Sequence, residues 1–346
     1  MQVALICCVD PLPCTCIVPL RSERSLAASE LTPYFRWLGT RTEAIVVDGS
    51  PPEVFAEHER AWGAVVRHMR PASDLATPMG KVGGVLTGVR FASHERLIIA
   101  DDDVRYDDRS LQAVHDGLAS AGVVRPQNYF TPLPWHAAWD TGRTLLNRIS
   151  GGDWPGTLGV RRSILIGTGG YDGRAMFENL ELVRTVRATG ASELVQPDVF
   201  VARRPSTFRH FVSQRVRQAY DEFARPARLA IQLAVLPLAI LIGWRSGAAA
   251  LGGCLVAIVL LAETGRRRHG GIAVFPRATP LYAPLWVAER AVCSWLALGS
   301  RIIHGGVPYR GKILAHAATP AQVLRARHGS LRSAPAPECA APPRSA

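Results

Sequence analysis

The apolar run Leu97-Ile98-Ile99-Ala100 leads directly into three consecutive carboxylates, Asp101-Asp102-Asp103. A hydrophobic strand that ends in clustered acids projects them from its carboxyl end. In an open α/β sheet, that edge is where ligands bind. Carboxylates at 101 and 103 are hard oxygen donors that suit a divalent cation, and a cation held there can hold a diphosphate. The plainer reading is a solvated acidic turn, since Asp107 and Asp108 follow.

The surroundings support a layered sheet. Residues 1 to about 210 alternate strand-like and helix-like segments, the pattern of an α/β domain. Cys14 to Leu20 reads as a buried strand, and Arg21 to Ser25 as a polar turn. A helix over 25–38, interrupted at Pro33, leads to a second strand, Ala44 to Val47, which ends at Asp48-Gly49-Ser50-Pro51. Helices are expected from Glu53 to about Arg67 and from Ser110 to Ala119, and a further strand begins at Gly122-Val123-Val124.

Beyond residue 225 the composition changes. Leu229 to Trp244 is apolar except for Gln232 and Pro237, and Gly247 to Ala262 carries no charge until Glu263. A turn, Trp244-Arg245-Ser246-Gly247, separates them. Each run is short for a hydrocarbon core of roughly 30 Å, and a pair of buried core helices is the alternative. The scarcity of polar residues favours a membrane hairpin over 229–262. The basic segment Arg266-Arg267-Arg268 would then return to the cytosolic side. The segment 281–303 is apolar and aromatic but carries Glu289-Arg290 at its middle, which is costly in a spanning helix; an interfacial placement is preferred over a third span. The basic region 305–346 reads as a largely disordered tail, rich in Pro, Ala and Arg after about Ser330.

The 346 residues carry a net charge of +12, with 40 basic against 28 acidic residues. Such an excess suits nucleic acid, an anionic membrane or an anionic substrate. No nucleic-acid-binding motif is present, so membrane and phosphate partners are expected. Seven cysteines form no ligand spacing with histidine, which argues against zinc and for small buried hydrophobes in a reducing compartment. The first nine residues lack the basic flank of a signal peptide, so the catalytic part is expected on the cytosolic side of the cell membrane.

Five features recur in one order. They are Ile17-Val18-Pro19-Leu20 with Arg21-Ser22-Glu23; Val46-Val47-Asp48-Gly49-Ser50; Gly80-Lys81-Val82-Gly83-Gly84 through Gly88; Asp101-Asp102-Asp103; and Gly169-Gly170-Tyr171-Asp172 leading into Phe177-Glu178-Asn179-Leu180-Glu181-Leu182. A sixth, Gln214-x-x-Arg217, follows at 211–218. Together they resemble the inverting family-2 glycosyltransferases of the GT-A fold in their membrane-associated form, with relatives among ceramide glucosyltransferases and polysaccharide synthases. The resemblance covers roughly 14–225.

That resemblance implies a GT-A mixed-sheet α/β domain over 1–225, membrane-associated helices over 226–304, and the tail. It implies a UDP- or GDP-sugar donor, a lipid or glycan acceptor, and Mg²⁺ or Mn²⁺. Glu23, Asp48, Lys81 and Asp101 would contact the nucleotide sugar, Asp48 through the base edge. Asp103, with Asp101, would hold the metal. Two positions depart from the pattern. Asn179 stands where the family has its general base, and an amide has no useful basicity near neutral pH; Glu178 is the nearest substitute, with Glu181 next. Gln218 stands where a tryptophan supports the acceptor sugar, which argues against a processive synthase. Gln214 and Arg217 match, and Arg217 would bind the departing diphosphate. A non-catalytic nucleotide-sugar-binding relative and a nucleotidyltransferase remain as alternatives.

Overall fold

The structure, a computed structural model, describes residues 10–309 and 311–333. Its strands are β1 (Cys14–Leu20), β2 (Glu43–Asp48), β3 (Arg67–Met69), β4 (Arg96–Ala100), β5 (Val104–Arg105), β6 (Val123–Phe130), β7 (Thr157–Arg161), β8 (Glu193–Arg203), β9 (Val307–Tyr309) and β10 (Lys312–Leu314). Its α-helices are α1 (Leu31–Gly39), α2 (Pro52–Trp62), α3 (Gly80–Phe91), α4 (Asp108–Gly117), α5 (Trp135–Asn147), α6 (Arg162–Gly167), α7 (Glu178–Ala188), α8 (Phe208–Ser213), α9 (Arg215–Tyr220), α10 (Pro226–Arg267), α11 (Ala283–His304) and α12 (Ala321–His328).

The first eight strands form one mixed sheet in the order β3-β2-β1-β4-β7-β6-β8-β5. β3, β2, β1 and β4 run parallel, and β7 then runs antiparallel to β4. The side-chain period of two divides the strands between two cores. Ile17, Ile45, Val47, Leu97 and Ile99 face α3, whereas Cys16, Val18, Val46 and Ile98 face α1 and α4. The glycines of the segment starting at Gly80 lie inside α3, and Gly80, Gly83 and Gly84 line a cavity beside β1. A Cβ on Gly88 would fall 2.4 Å from the Ile17 Cγ2, so the glycine lets α3 lie directly on β1.

Three expectations need correction. α1 begins at Leu31, with Pro33 in its first turn, where a missing N–H costs little. α2 stops at Trp62, and β3 occupies the stretch read as its end. Finally, the described residues of 305–333 are folded rather than disordered, and the remainder of the expected tail, 334–346, lies outside the described residues. β9 and β10 pair as a hairpin, and Val307, Leu314, Ala317 and Ala318 enter the main core. The Met176 and Phe177 amides donate to the His316 and Ala317 carbonyls at 2.9 Å each, and α12 packs on α7. Apolar side chains and paired backbone groups thus hold a segment whose overall composition suggested a tail.

α10 is two arms joined at Gly247, whose φ of 75° and ψ of −177° leave the helical region. Arg228 near its start hydrogen-bonds the Asn147 Oδ1 at 3.2 Å, and the Gly265 carbonyl near its end accepts from the Arg148 Nε at 3.2 Å. A straight helix of 42 residues would be about 63 Å long, and its ends could not both reach consecutive residues of one helix terminus. The chain therefore doubles back at the expected turn. Over its most apolar window only 6% is buried, and Ile231, Ile240, Trp244, Val256 and Leu260 stand exposed. α11 is two-sided. Trp286, Arg290, Cys293 and Ala297 are buried, whereas Leu285, Val292, Leu296 and Ile303 are exposed.

Candidate active site

The acidic run leaves the carboxyl end of β4 and enters β5, whose Val104 pairs with Arg203 of β8. This register sets the Arg203 guanidinium against the acids. Its Nε lies 2.9 and 3.0 Å from the two Asp103 carboxylate oxygens, and its Nη2 lies 3.4 Å from the Asp101 Oδ2. Lys81, in the first turn of α3, places its Nζ 2.5 Å from the Asp101 Oδ1 and 2.7 Å from the Glu178 Oε1. Burial alone would lower the Lys81 pKa; Asp101 and Glu178 outweigh it and hold the ammonium protonated above its ordinary range. Burial pushes the Asp103 carboxyl up, against the pull of Arg203. Asp102 rises to about 6, through burial and then the charges of Asp103 and Asp101.

Gly156 closes this cluster from β7's side. Its carbonyl accepts from the Asp101 amide at 2.8 Å. A Cβ there would sit 2.7 Å from the Asp101 Oδ2 and 3.1 Å from the Arg203 Cζ.

Asp48 lies elsewhere. It is fully buried, and its Oδ1 accepts from the Ser50 amide at 2.8 Å. Its Oδ2 faces the His58 Nδ1 at 2.6 Å and the His68 Nε2 at 3.1 Å. Burial would raise its pKa, but these hydrogen bonds prevail and hold the carboxylate far below the usual range. Both oxygens are therefore taken, and the direct base contact expected of Asp48 is not available in this arrangement. Gly49 and Arg21 line the adjoining cavity instead. Although Asp48, His58 and His68 converge closely enough to suggest a metal site, their chemistry does not suit one. The Leu26 amide donates to the His58 Nε2 at 2.8 Å, which leaves the proton on Nδ1, pointing at Asp48. Glu23 is largely exposed and paired with Arg21 at 3.3 Å.

On the other side, Asn179 donates to the Pro155 carbonyl at 2.9 Å. Glu181 is fully buried and accepts from the Thr319 amide at 2.6 Å, so it fastens the returning chain and is no candidate base. Gln218 accepts from Arg215, which also pairs with Asp140 at 3.1 Å and Glu289 at 3.3 Å. Arg217 lies over the Tyr309 ring at 5.0 Å.

Two cavities meet here. The larger, of about 800 Å³, runs between the carboxyl ends of β1 and β2, the first turn of α3 and β9. The other, of about 270 Å³, runs from the acids past Glu178 and Asn179 to α5, α9 and α11. Asp101, His210, Gln214 and Arg217 line both. Glu178 lines only the second, Lys81 only the first.

Sequence reasoning missed two residues. One is Arg203. The other is Asp221, at the start of a 3-10 turn (Asp221–Ala224) after α9. It lines the second cavity, and its Oδ1 is buried with no hydrogen-bond partner. Burial pushes its carboxyl up to about 7, against the Arg217 charge. No spacing marks either residue, because packing alone brings them to the site.

Asp101 and Asp103 fit a hard divalent cation. They offer oxygen donors only, and three adjacent acids with raised protonation at Asp102 and Asp103 mark a place that calls for positive charge. Lys81 and Arg203 supply part of that charge from the chain itself.

No protein-family model matches the sequence, and no curated protein sequence matches it. Among solved structures, the fold is similar to that of the mannosyltransferase PcManGT from Pyrobaculum calidifontis in complex with GDP-Man and Mn²⁺, at 19% identity, a TM-score of 0.50, and coverage of 83% of this chain and 87% of that one. The likeness establishes the fold: a mixed α/β domain around an eight-stranded sheet, of the kind a glycosyltransferase uses.

Proposed function

We propose that this protein is a membrane-associated, inverting glycosyltransferase that takes its sugar from a nucleoside diphosphate donor. The observation that carries the reading is the junction of two cavities at Asp101, Gln214 and Arg217. A displacement at an anomeric carbon needs that layout, with donor on one side, acceptor on the other and charge control between them. The larger cavity, at the carboxyl ends of β1 and β2, takes the nucleotide. Arg217 faces the junction with no acid paired to it among the described residues, and it is the group available to the departing diphosphate.

Asp101 and Asp103 would hold Mg²⁺ or Mn²⁺, which would supply further neutralisation of the leaving group. Lys81 fixes Asp101 and Glu178 relative to each other. For the acceptor proton, Asp221 is better placed than Glu178. The Glu178 Oε1 is engaged by Lys81, whereas the Asp221 Oδ1 is unpartnered and its pKa suits proton transfer near neutral pH. A base on the acceptor wall agrees with direct displacement and inversion.

The exposed hairpin supports a membrane location, with α11 in the interface and the catalytic domain in the cytosol. A lipid acceptor follows from that position. The test is release of nucleoside diphosphate by membranes carrying the protein, with UDP- and GDP-sugars, Mg²⁺ or Mn²⁺ and a lipid extract. Release dependent on one donor and lost in Asp103→Asn supports the reading. Release of pyrophosphate would show a nucleotidyltransferase, and binding without release would show a non-catalytic relative.

A further inference from the structure

Arg290 is the anomaly of the second cavity. It sits at the middle of α11, is 3% exposed, and lines the cavity. Among the described residues its guanidinium makes no ion pair or hydrogen bond, and its Nε is buried without a partner. Its guanidinium carbon lies 5.4 Å from the centre of the Trp286 ring. Three acids lie near it, and none forms an ion pair with it: Asp221 and Glu289 each keep one buried oxygen without a hydrogen-bond partner. Asp140 pairs with Arg143 at 3.4 Å and Arg215 at 3.1 Å, and Glu289 pairs with Arg215. A buried guanidinium N–H without an acceptor is costly, and a ligand oxygen in the cavity would satisfy it.

The neighbouring cations point into the same space. Arg143 and Arg228 line the cavity with Arg290; Arg143 pairs with Asp153 at 3.2 Å and Arg228 with Glu222 at 3.5 Å, and the Arg143 Nε is buried and unpartnered. Arg228 reaches the cavity from the first turn of the hairpin and is anchored on Asn147, one turn along α5 from Arg143. The cavity thus has an arginine floor and opens at the root of an exposed apolar hairpin. A guanidinium cluster matches the oxygens of a phosphate in a way a single ammonium does not.

We infer that Arg290, with Arg143 and Arg228, forms a phosphate subsite, and that the acceptor is an amphiphile carrying a phosphate monoester. This rests on the assignment of the second cavity to the acceptor. The hydrocarbon part would lie along the hairpin while the phosphate meets Arg290 within reach of the donor sugar.

The test is calorimetric titration of the full chain in maltoside micelles with dodecyl phosphate, dodecanol, inorganic phosphate and GDP. The expected result is binding of dodecyl phosphate but not dodecanol, and at least tenfold weaker binding of inorganic phosphate. Arg290→Gln should weaken dodecyl phosphate at least tenfold and Arg290→Lys should restore part of the loss, with GDP binding unchanged in both. Equal binding of inorganic and dodecyl phosphate would overturn the lipid part. Unchanged dodecyl phosphate binding in Arg290→Gln, or an equal loss of GDP binding, would overturn the subsite. Failure of the parent chain to bind either GDP or UDP, titrated in parallel, would count against the glycosyltransferase reading and not against the subsite.

Discussion

Replacing Asp221 with Asn tests the assignment of the base and separates it from Glu178. The carboxyl is held at about 7, so activity that needs its ionised form should rise through neutral pH to a plateau. With that pKa, about one tenth of the sites are ionised at pH 6 and about one hundredth at pH 5, and turnover should fall in proportion. Asp221→Asn should lower kcat by about 10²- to 10⁴-fold and abolish the limb near pH 7. Stability should move the other way. Below pH 3.8, the ordinary value, both folded and unfolded chains carry the proton and the group contributes nothing. Between there and about 7 the unfolded chain ionises first, so stability falls as pH rises, and above 7 the penalty is constant. A gap of about three pH units corresponds to an order of 4 kcal/mol. Asparagine cannot ionise, so the variant should melt higher than the parent at pH 8, and the difference should vanish by pH 4. The assay is nucleoside diphosphate release from pH 5 to 9, beside thermal unfolding at both extremes. A variant with more than half the parent kcat and the same pH profile would refute the reasoning and return the role to Glu178.

Four further perturbations follow from the geometry. Asp103→Asn should abolish turnover, and retained activity would remove this residue from the site. Gly156→Ala would press a methyl into the Asp101 Oδ2 and the Arg203 guanidinium; at least a tenfold loss of donor turnover is expected, with a melting temperature within a few degrees of the parent. Gly88→Ala forces α3 away from Ile17 and should cost about 1–3 kcal/mol, read by denaturant unfolding, with residual activity per folded molecule unchanged. Paired Ile240→Asp and Leu260→Asp substitutions on the hairpin's exposed face should shift the protein from the membrane pellet to the supernatant; an unchanged distribution would argue against membrane insertion.

The parallel half of the sheet was legible because its strands are buried on both faces. β1, β2 and β4 begin and end within a residue or two of the apolar runs that announced them. β3 was not, because Arg67-His68-Met69 is a polar edge strand with no periodicity. The turn at Gly247 and the two apolar arms were readable from composition alone, whereas the order of 305–333 depends on pairing with a segment more than a hundred residues earlier. The acids and Lys81 could be found by motif because a short chain segment carries their chemistry. Asp48 shows the limit of that approach: its sequence context matches a nucleotide contact, but His58 and His68 take the oxygen that would make it.

Arg203, Asp221 and Arg290 belong to a different class. None has a spacing that marks it, and each matters because of what surrounds it in three dimensions. Their partners explain the basic excess more specifically than net charge could. Arg203 is neutralised by the acids it orders, Arg215 by Asp140 and Glu289, and Arg225 by Glu222 at 2.7 Å. Once those pairs and those of Arg143 and Arg228 are set aside, Arg217 and Arg290 are, among the described residues, the arginines of the second cavity without an ion pair, one at the junction and one on α11. Under the proposed function, a donor diphosphate would meet the first and the inferred acceptor phosphate would meet the second, with the Asp221 carboxyl in electrostatic range of both. The Glu289-Arg290 pair that made a spanning role costly for α11 therefore reads as part of the substrate site, turned inward while the helix's apolar face stays outside.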